Sequence, residues 1–445
     1  MKYTQLTEQD RRSMLETLGV SVVGELFAPI SSAHRLDQPL NIPPGRSEPE
    51  VLADLTELAG ANNACDELVC FLGGGAYDHF IPTLVDHLAM KGEFLTAYTP
   101  YQAEASQGSL QAFYEFQTMV CQLLGMDVAN ASLYEQASAV AEAVLMVTQA
   151  SRKRRVLVCG AVHPDTSAVL ATYARPADFQ CIALPLTDGV TDLDALAQAV
   201  DEQTAAVVVQ TPNFFGCLEP ADRIAQIAHQ AGAVVIGCTD PLACGLIKRP
   251  GDWGADIAVA EGQALGIPLS YGGPYVGLMA CGEKWLRKMP GRVVGRGRDA
   301  KGSQSFCLAL QTREQHIRRE RATSNICTNQ GLMALRVAVY LSAMGKQGMA
   351  TVAGHCLDKA HYAAGLIAGL DGYELRFDQP FFKEFTVKTQ RNVSGVLSHC
   401  RDRGILAGVP LGRWFEPLAD CFTVAVTEKR SKAQIDQLIE ALKTA

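Results

Sequence analysis

TAYTPYQAEASQG (96–108) places two phenols, Tyr98 and Tyr101, and one carboxylate, Glu104, within seven residues. A phenol both donates and accepts hydrogen bonds, so such a loop can reach into a shared site and address a carboxylate or a cofactor oxygen. The alternative is a buried turn whose tyrosines satisfy backbone carbonyls. Residues 284–321 hold eleven bases against three acids, inside a chain whose net charge is −8. There Arg292, Arg296, Arg298 and Arg319 are expected to form a docking face for an acidic protein partner, since a basic patch speeds encounter and fixes orientation. A solvated face is the alternative, whereas the acidic whole and the lack of aromatics spaced regularly among these bases argue against nucleic acid. FLGGGAYDHF (71–80) has three consecutive glycines, yet neither GxGxxG spacing nor a following GK[ST], so tight packing against a subunit partner is expected rather than a phosphate loop. Nine histidines form no HExxH, and His79 and His316 read as satisfied structural residues. No CxxC occurs among 14 cysteines. Cys159, Cys181, Cys238 and Cys281, all inside apolar runs, read as reduced packing residues, and no metal is expected.

Beginning near Ala129, short runs rich in Val, Ile and Ala recur: VLVCG (156–160), FQCIALPL (179–186), AAVVVQ (205–210), AVVIGC (233–238), DIAVAE (256–261) and YVGLMA (275–280). Runs apolar on both faces are the mark of buried strands in a mostly parallel sheet. Between them TDLDALAQAVDEQT and PADRIAQIAHQAG carry a helical period, a capping Thr or Asp and a closing Gly, so the pattern predicts a doubly wound α/β domain of about seven strands. The proline-bearing stretch 28–50 is too polar and broken to own a core, and is expected to wrap around something else. After about residue 330 a long helical segment leads into FFKEFTVKT, GVLSHCRDRGI and CFTVAVT. The expected organisation is an N-terminal arm and interface segment (1–70), a large α/β domain (71–330) and a small C-terminal α/β domain (331–445). The chain is 48% hydrophobic and 19% charged, and no window approaches the roughly 18 apolar residues of a membrane span. The opening MKYTQLTEQDRRSMLETLG lacks an apolar signal core, so a cytoplasmic protein is expected.

A large doubly wound domain followed by a small one is the architecture of pyridoxal phosphate enzymes of fold type I. Such an enzyme needs a carboxylate facing the pyridine nitrogen and a lysine after a later strand to bind the cofactor covalently. Asp240, at the end of AVVIGCTD, stands where the carboxylate is needed, and His163 stands where a ring can lie over the cofactor. The lysine is missing. The loop EGQALGIPLSYGGP offers Gln263, whose amide cannot form a Schiff base, and between Lys153 and Lys284 the only lysine is Lys248, on a polar turn before the strand.

FLGGGAYDHFIP (71–82), TAYTPYQAEASQGSLQAFYEFQTMV (96–120), VVVQTPNFFGCLEP (207–220), IPLSYGGPYVG (267–277) and LQTREQHIRRERATSNICTNQ (310–330) closely resemble the glycine cleavage system P-protein. They are most similar to its alpha subunit in organisms where the enzyme is split into two chains, and the likeness runs over nearly the whole sequence. The resemblance implies glycine dehydrogenase (aminomethyl-transferring) activity, with pyridoxal phosphate held by a beta subunit in an αβ or α2β2 assembly. It also implies that Gln263 occupies the position of the beta chain's lysine and Gly262 that of its histidine. Asp240 and His163 would then be vestigial in this chain. The partner's cofactor would take up the electrons released when glycine loses carbon dioxide, and the aminomethyl group would pass to the lipoyl group of H-protein. The alpha chain would complete the interface and supply polar groups across it.

Two departures from that family's alpha pattern stand out. Glu135 and Gln136, in ASLYEQASAVAEA, replace the Asp and Gly of a Tyr-Asp-Gly-Ala-Thr turn, and Gln136 does not favour close backbone approach to a phosphate. Ala264 replaces a proline, which alters only loop stiffness. Two rival readings remain at this level: a self-contained transaminase-like enzyme anchored through Lys248, and a non-catalytic scaffold of the same fold.

Overall fold

The computed structural model describes residues 5–36, 38, 40–65, 67–326 and 329–445. These divide into two units, Met1–Asn63 and Ala64–Ala445. In the first, helices form at Glu8–Leu18 and Glu48–Gly60, each opened by a capping box, Thr7 with Asp10 and Ser47 with Glu50. Local capping therefore makes these helices, but none of the unit's described residues is buried.

In the second unit, seven strands make one sheet: β1 (Val128–Ala129), β2 (Arg155–Val158), β3 (Gln180–Ala183), β4 (Thr204–Gln210), β5 (Val234–Thr239), β6 (Ile257–Glu261) and β7 (Gly277–Cys281). Their spatial order is β1-β7-β6-β5-β4-β2-β3. From β6 to β3 every pair is parallel, and β7 runs antiparallel to both its neighbours. All six apolar runs singled out in the sequence lie in this sheet, so the expected doubly wound, mostly parallel architecture is what forms. The five longest of this unit's helices up to the second sheet are α1 (Gln107–Leu124), α2 (Gln136–Ser151), α3 (Pro164–Ala177), α4 (Ala221–Gln230) and α5 (Gly331–Ala368), the last broken at Gly345, whose backbone is non-helical (φ 57°, ψ −174°). α2, α3 and α4 cover one face, and α1 with the first part of α5 covers the other. In α4, Ala221, Ile224, Ala225 and Ala228 are the buried positions, the i, i+3, i+4, i+7 stripe of an amphipathic helix. β3 is an edge strand, which is why Cys181 is exposed although Cys159, Cys238 and Cys281 are buried as expected.

A second, antiparallel sheet follows: β8 (Tyr373–Leu375), β9 (Glu384–Thr389), β10 (Val409–Pro410) and β11 (Cys421–Ala425), in the order β8-β9-β11-β10. It shares a core with the end of α5 and with Phe71. Val69–Cys70 pairs in parallel with Ile405–Leu406. That pairing delivers the glycine segment 71–80 to the cleft between the two sheets.

Candidate functional site

In an open parallel sheet the usual place for a ligand is beyond the carboxyl ends of the strands. Here those ends present His163 after β2, Gln210 closing β4, Asp240 after β5 and Glu261 closing β6. They line a single void with Gly75, Tyr77, Gln136, Lys383 and Glu384, but its volume is only about 40 Å3. A small-molecule pocket is ordinarily several hundred cubic ångströms.

The space is taken by the chain itself. Lys383, immediately before β9, is almost fully buried and sets its Nζ 2.7 Å from Asp240 Oδ2 and 2.8 Å from His79 Nε2. The same ammonium lies 3.7 Å from the centroid of the Tyr77 ring, a cation–π contact. Because Lys383 can only donate, His79 accepts at Nε2 and donates from Nδ1 to Glu428, 2.6 Å away. Burial and the Lys383 charge hold the His79 imidazole below its ordinary pKa, consistent with that neutral form. Glu428 also accepts from the Phe80 amide, at 2.7 Å. Although burial opposes it, these hydrogen bonds keep the Glu428 carboxyl below its usual range.

The glycine segment packs closely against groups of its own chain. At Gly73 a Cβ would collide with the Glu384 carboxylate and Ala425. Gly74 N donates to Glu384 Oε1 at 2.8 Å, and Tyr77 donates to Glu384 Oε2 at 2.8 Å. Gly75 has φ +105° and faces His163. His163 caps α3 by accepting from Asp165 N at Nδ1, so its Nε2–H donates to Gly74 O at 2.6 Å.

Gln263 is 2% exposed and fully hydrogen-bonded. Its Oε1 accepts from Tyr77 N at 2.9 Å, and its Nε2 donates to Tyr77 O at 3.1 Å and Ile267 O at 2.8 Å. At the start of α2, Glu135 accepts from Ser138 N at 2.7 Å. Glu261 receives three backbone amides, Gln136 at 3.1 Å, Gln263 at 3.2 Å and Val276 at 3.3 Å. Burial nonetheless pushes the Glu261 carboxyl up to about 8. A wider groove of about 540 Å3 opens outside this point, with Glu135, Asp165 and Glu261 among its lining. No lysine or arginine lines it among the described residues.

These residues do not fit pyridoxal phosphate. The carboxylate meant for a ring nitrogen is paired, the Gln136 and Ser138 amides at the α2 terminus are taken by carboxyl groups, and position 263 carries a locked amide. Lys248 does not rescue the fit: it is exposed, paired with Asp222 at 2.6 Å, and absent from the lining of the void.

Tyr98 and Tyr101 lie outside this void, 81% and 58% exposed, and Glu104 is exposed as well, so the buried-turn alternative is wrong. The basic run splits. Arg292, expected on the docking face, is 4% exposed, with its guanidinium 5.4 Å from the Tyr101 ring centroid and Nη2 3.3 Å from the Tyr101 hydroxyl. It is buried because it enters the hairpin Val293–Arg298/Gln304–Ala309, whose apolar side packs on α1 through Leu110 and Phe306. Arg296, Arg298 and Arg319 are exposed.

Sequence reading missed Lys383, Glu384, Tyr77 and Glu261. One signal was present: in FFKEFTVKT a Lys-Glu pair interrupts an apolar run at the start of a strand, which is costly unless both charges find partners.

A sequence profile described as glycine cleavage system P-protein matches residues 1–442. The chain is 51% identical over 443 residues to a probable glycine dehydrogenase (decarboxylating) subunit 1 of Prosthecochloris aestuarii, and 48% identical over 442 residues to one of Desulforamulus reducens, covering 99% of both chains in each case. A crystal structure of glycine decarboxylase (P-protein) of the glycine cleavage system, in inhibitor-bound form, superposes with a TM-score of 0.91 at 41% identity over 100% of both chains. A sphingosine-1-phosphate lyase of Burkholderia pseudomallei shares the fold alone, with a TM-score of 0.68 at 15% identity over 93% of both chains. With a profile spanning nearly every residue and relatives matched end to end, the chain belongs to the glycine cleavage system P-protein family.

Proposed function

We propose that this chain is subunit 1 of a glycine dehydrogenase (decarboxylating), and that a second subunit supplies the pyridoxal phosphate on which glycine is decarboxylated. The names of its relatives support the first part. One observation carries the second: Lys383 occupies Asp240 while Gln263 stands hydrogen-bonded where a cofactor lysine belongs. What the chain contributes is then external. Tyr98, Tyr101 and Glu104 offer hydrogen-bonding groups to a site completed by the partner, and Arg296, Arg298 and Arg319 offer exposed positive charge to an acidic, lipoyl-bearing H-protein. The N-terminal unit, with Leu18, Leu52, Leu55 and Leu58 more than half exposed, supplies apolar surface suited to an interface.

The reading is tested by exchange of labelled bicarbonate into glycine. Both chains and the H-protein together should support it, and this chain alone should not. Borohydride reduction of the isolated chain with pyridoxal phosphate should leave no stoichiometric adduct on a single lysine. Exchange by the isolated chain at the rate of the complex, or such an adduct at Lys248, would sink the proposal.

A further inference from the structure

The loss of a cofactor lysine does not by itself close a pocket. A lysine-to-glutamine change alone leaves the carboxylate, the helix amides and the cavity in place, ready for non-covalent binding. In this chain each of those features has a substitute of matching chemistry. Where a protonated ring nitrogen would meet Asp240, the Lys383 ammonium does so at 2.7 Å. Where a phosphate would accept from the first amides of α2, Glu261 accepts from Gln136 and Glu135 from Ser138. Where a lysine would rise from position 263, the Gln263 amide is tied to both backbone groups of Tyr77. Tyr77 in turn supplies the aromatic face over Lys383 and holds Glu384.

We propose that Lys383, Glu135, Glu261 and the Tyr77–Gln263 clasp form an internal plug that replaces the cofactor's attachment points one for one, so that the pocket is a built-in structural core and not a latent cofactor site. The inference rests on the reading that this chain works without its own pyridoxal phosphate, and it goes further: restoring the lysine alone will not restore binding. Its energetic content is in the buried pair. Removing one partner of a buried ion pair leaves an uncompensated charge, whereas replacing both with neutral groups removes the penalty.

The experiment compares four forms of the full chain: wild type, Gln263→Lys, Lys383→Met, and Lys383→Met with Asp240→Asn. Gln263→Lys should give no aldimine absorbance with pyridoxal phosphate and no borohydride adduct at position 263. Lys383→Met should lower the melting temperature by about 5 °C or more, and the double variant should recover at least about half of that loss. If Lys383→Met does not fold, recovery of soluble, folded double variant serves as the same readout. The plug is overturned by a stoichiometric adduct at position 263 in Gln263→Lys, or by a double variant no more stable than Lys383→Met. Either outcome leaves the assignment of the cofactor to the second subunit intact, since that assignment fails only if the wild-type chain itself is labelled.

Discussion

Asp240 and Tyr98 are both polar groups that could serve a substrate, and they have opposite fates. In the cleft between the sheets Asp240, Glu261, Glu384, His79 and His163 all find partners within the chain, and the inner void they leave holds little more than a few waters' volume. On the loop 96–104 both rings are mostly exposed, Tyr101 with its hydroxyl accepting from Arg292 and Tyr98 with no side-chain hydrogen bond among the described residues. Free energy explains the contrast. A buried polar group left unpaired costs about 1–3 kcal/mol, so an interior that has no ligand must satisfy itself, while an exposed loop can keep its groups open for another molecule at little cost.

The sharpest way to break the contrast is to open the interior. Gly216 has φ +88°, and a Cβ there would strike the Glu384 carbonyl, backbone against backbone. Gly216→Ala should cost on the order of 4 kcal/mol or more, read as a fall in the urea midpoint. A loss below about 1 kcal/mol would show that the 384 strand end can shift, and that the interior is less tightly fixed than described.

Next in size is a pH effect. Burial raises the Glu261 carboxyl from its ordinary 4.5 to about 8, so between those values the native chain holds a proton that the unfolded chain has released. Its contribution to stability is therefore full below about pH 4.5 and is lost as pH rises through about 8. Glu261→Gln should remove a component of that decline on the order of 2–4 kcal/mol. Glu142, pushed up to about 7 by burial, contributes with the same sign and will keep part of the slope. Chemical denaturation at several pH values decides it, and parallel profiles for variant and parent would refute the assignment.

On the surface side, Tyr98→Phe should leave stability nearly unchanged, Tyr101→Phe should cost about 1 kcal/mol through the hydrogen bond its hydroxyl accepts from Arg292, and both should depress glycine–bicarbonate exchange by the complex roughly tenfold to a hundredfold. That range is the rate equivalent of losing one hydrogen bond to a charged group, about 1.5–3 kcal/mol. Unaltered kinetics in both would remove the loop from the shared site.

The smallest effect should come from reversing Arg296, Arg298 and Arg319. Exposed charges act over about 8 Å at physiological salt and mainly on encounter, so KM for the H-protein should rise several-fold, and KM for glycine should stay put. Arg292→Ala belongs to the other class, because its guanidinium is buried against Tyr101: it should lower the melting temperature first. If the exposed reversals leave both KM values and the assembly untouched, that cluster is only a solvated face.

Much of this division was legible in the chain. The six apolar runs, the doubly wound order they imply, Asp240 at the end of its strand and the absence of a lysine at position 263 are all local properties, because periodicity and residue type act over a few neighbours. Even the family followed from local motifs such as TREQHIRRERATSNICTNQ. Three things were decided only in three dimensions. Lys383 reaches Asp240 because the second sheet is set against the first, so two loops distant in sequence share one charge pair. The glycine run 73–75 turns inward because a parallel pairing with Ile405–Leu406 delivers it there. Arg292 is buried while Arg296 and Arg298 are exposed because it lies at the base of the hairpin, against Tyr101, and the strand runs outward from there with burial fading along its length. Sequence pattern can state that a charge needs a partner, but which partner it meets, and whether water reaches it first, depends on how whole elements pack.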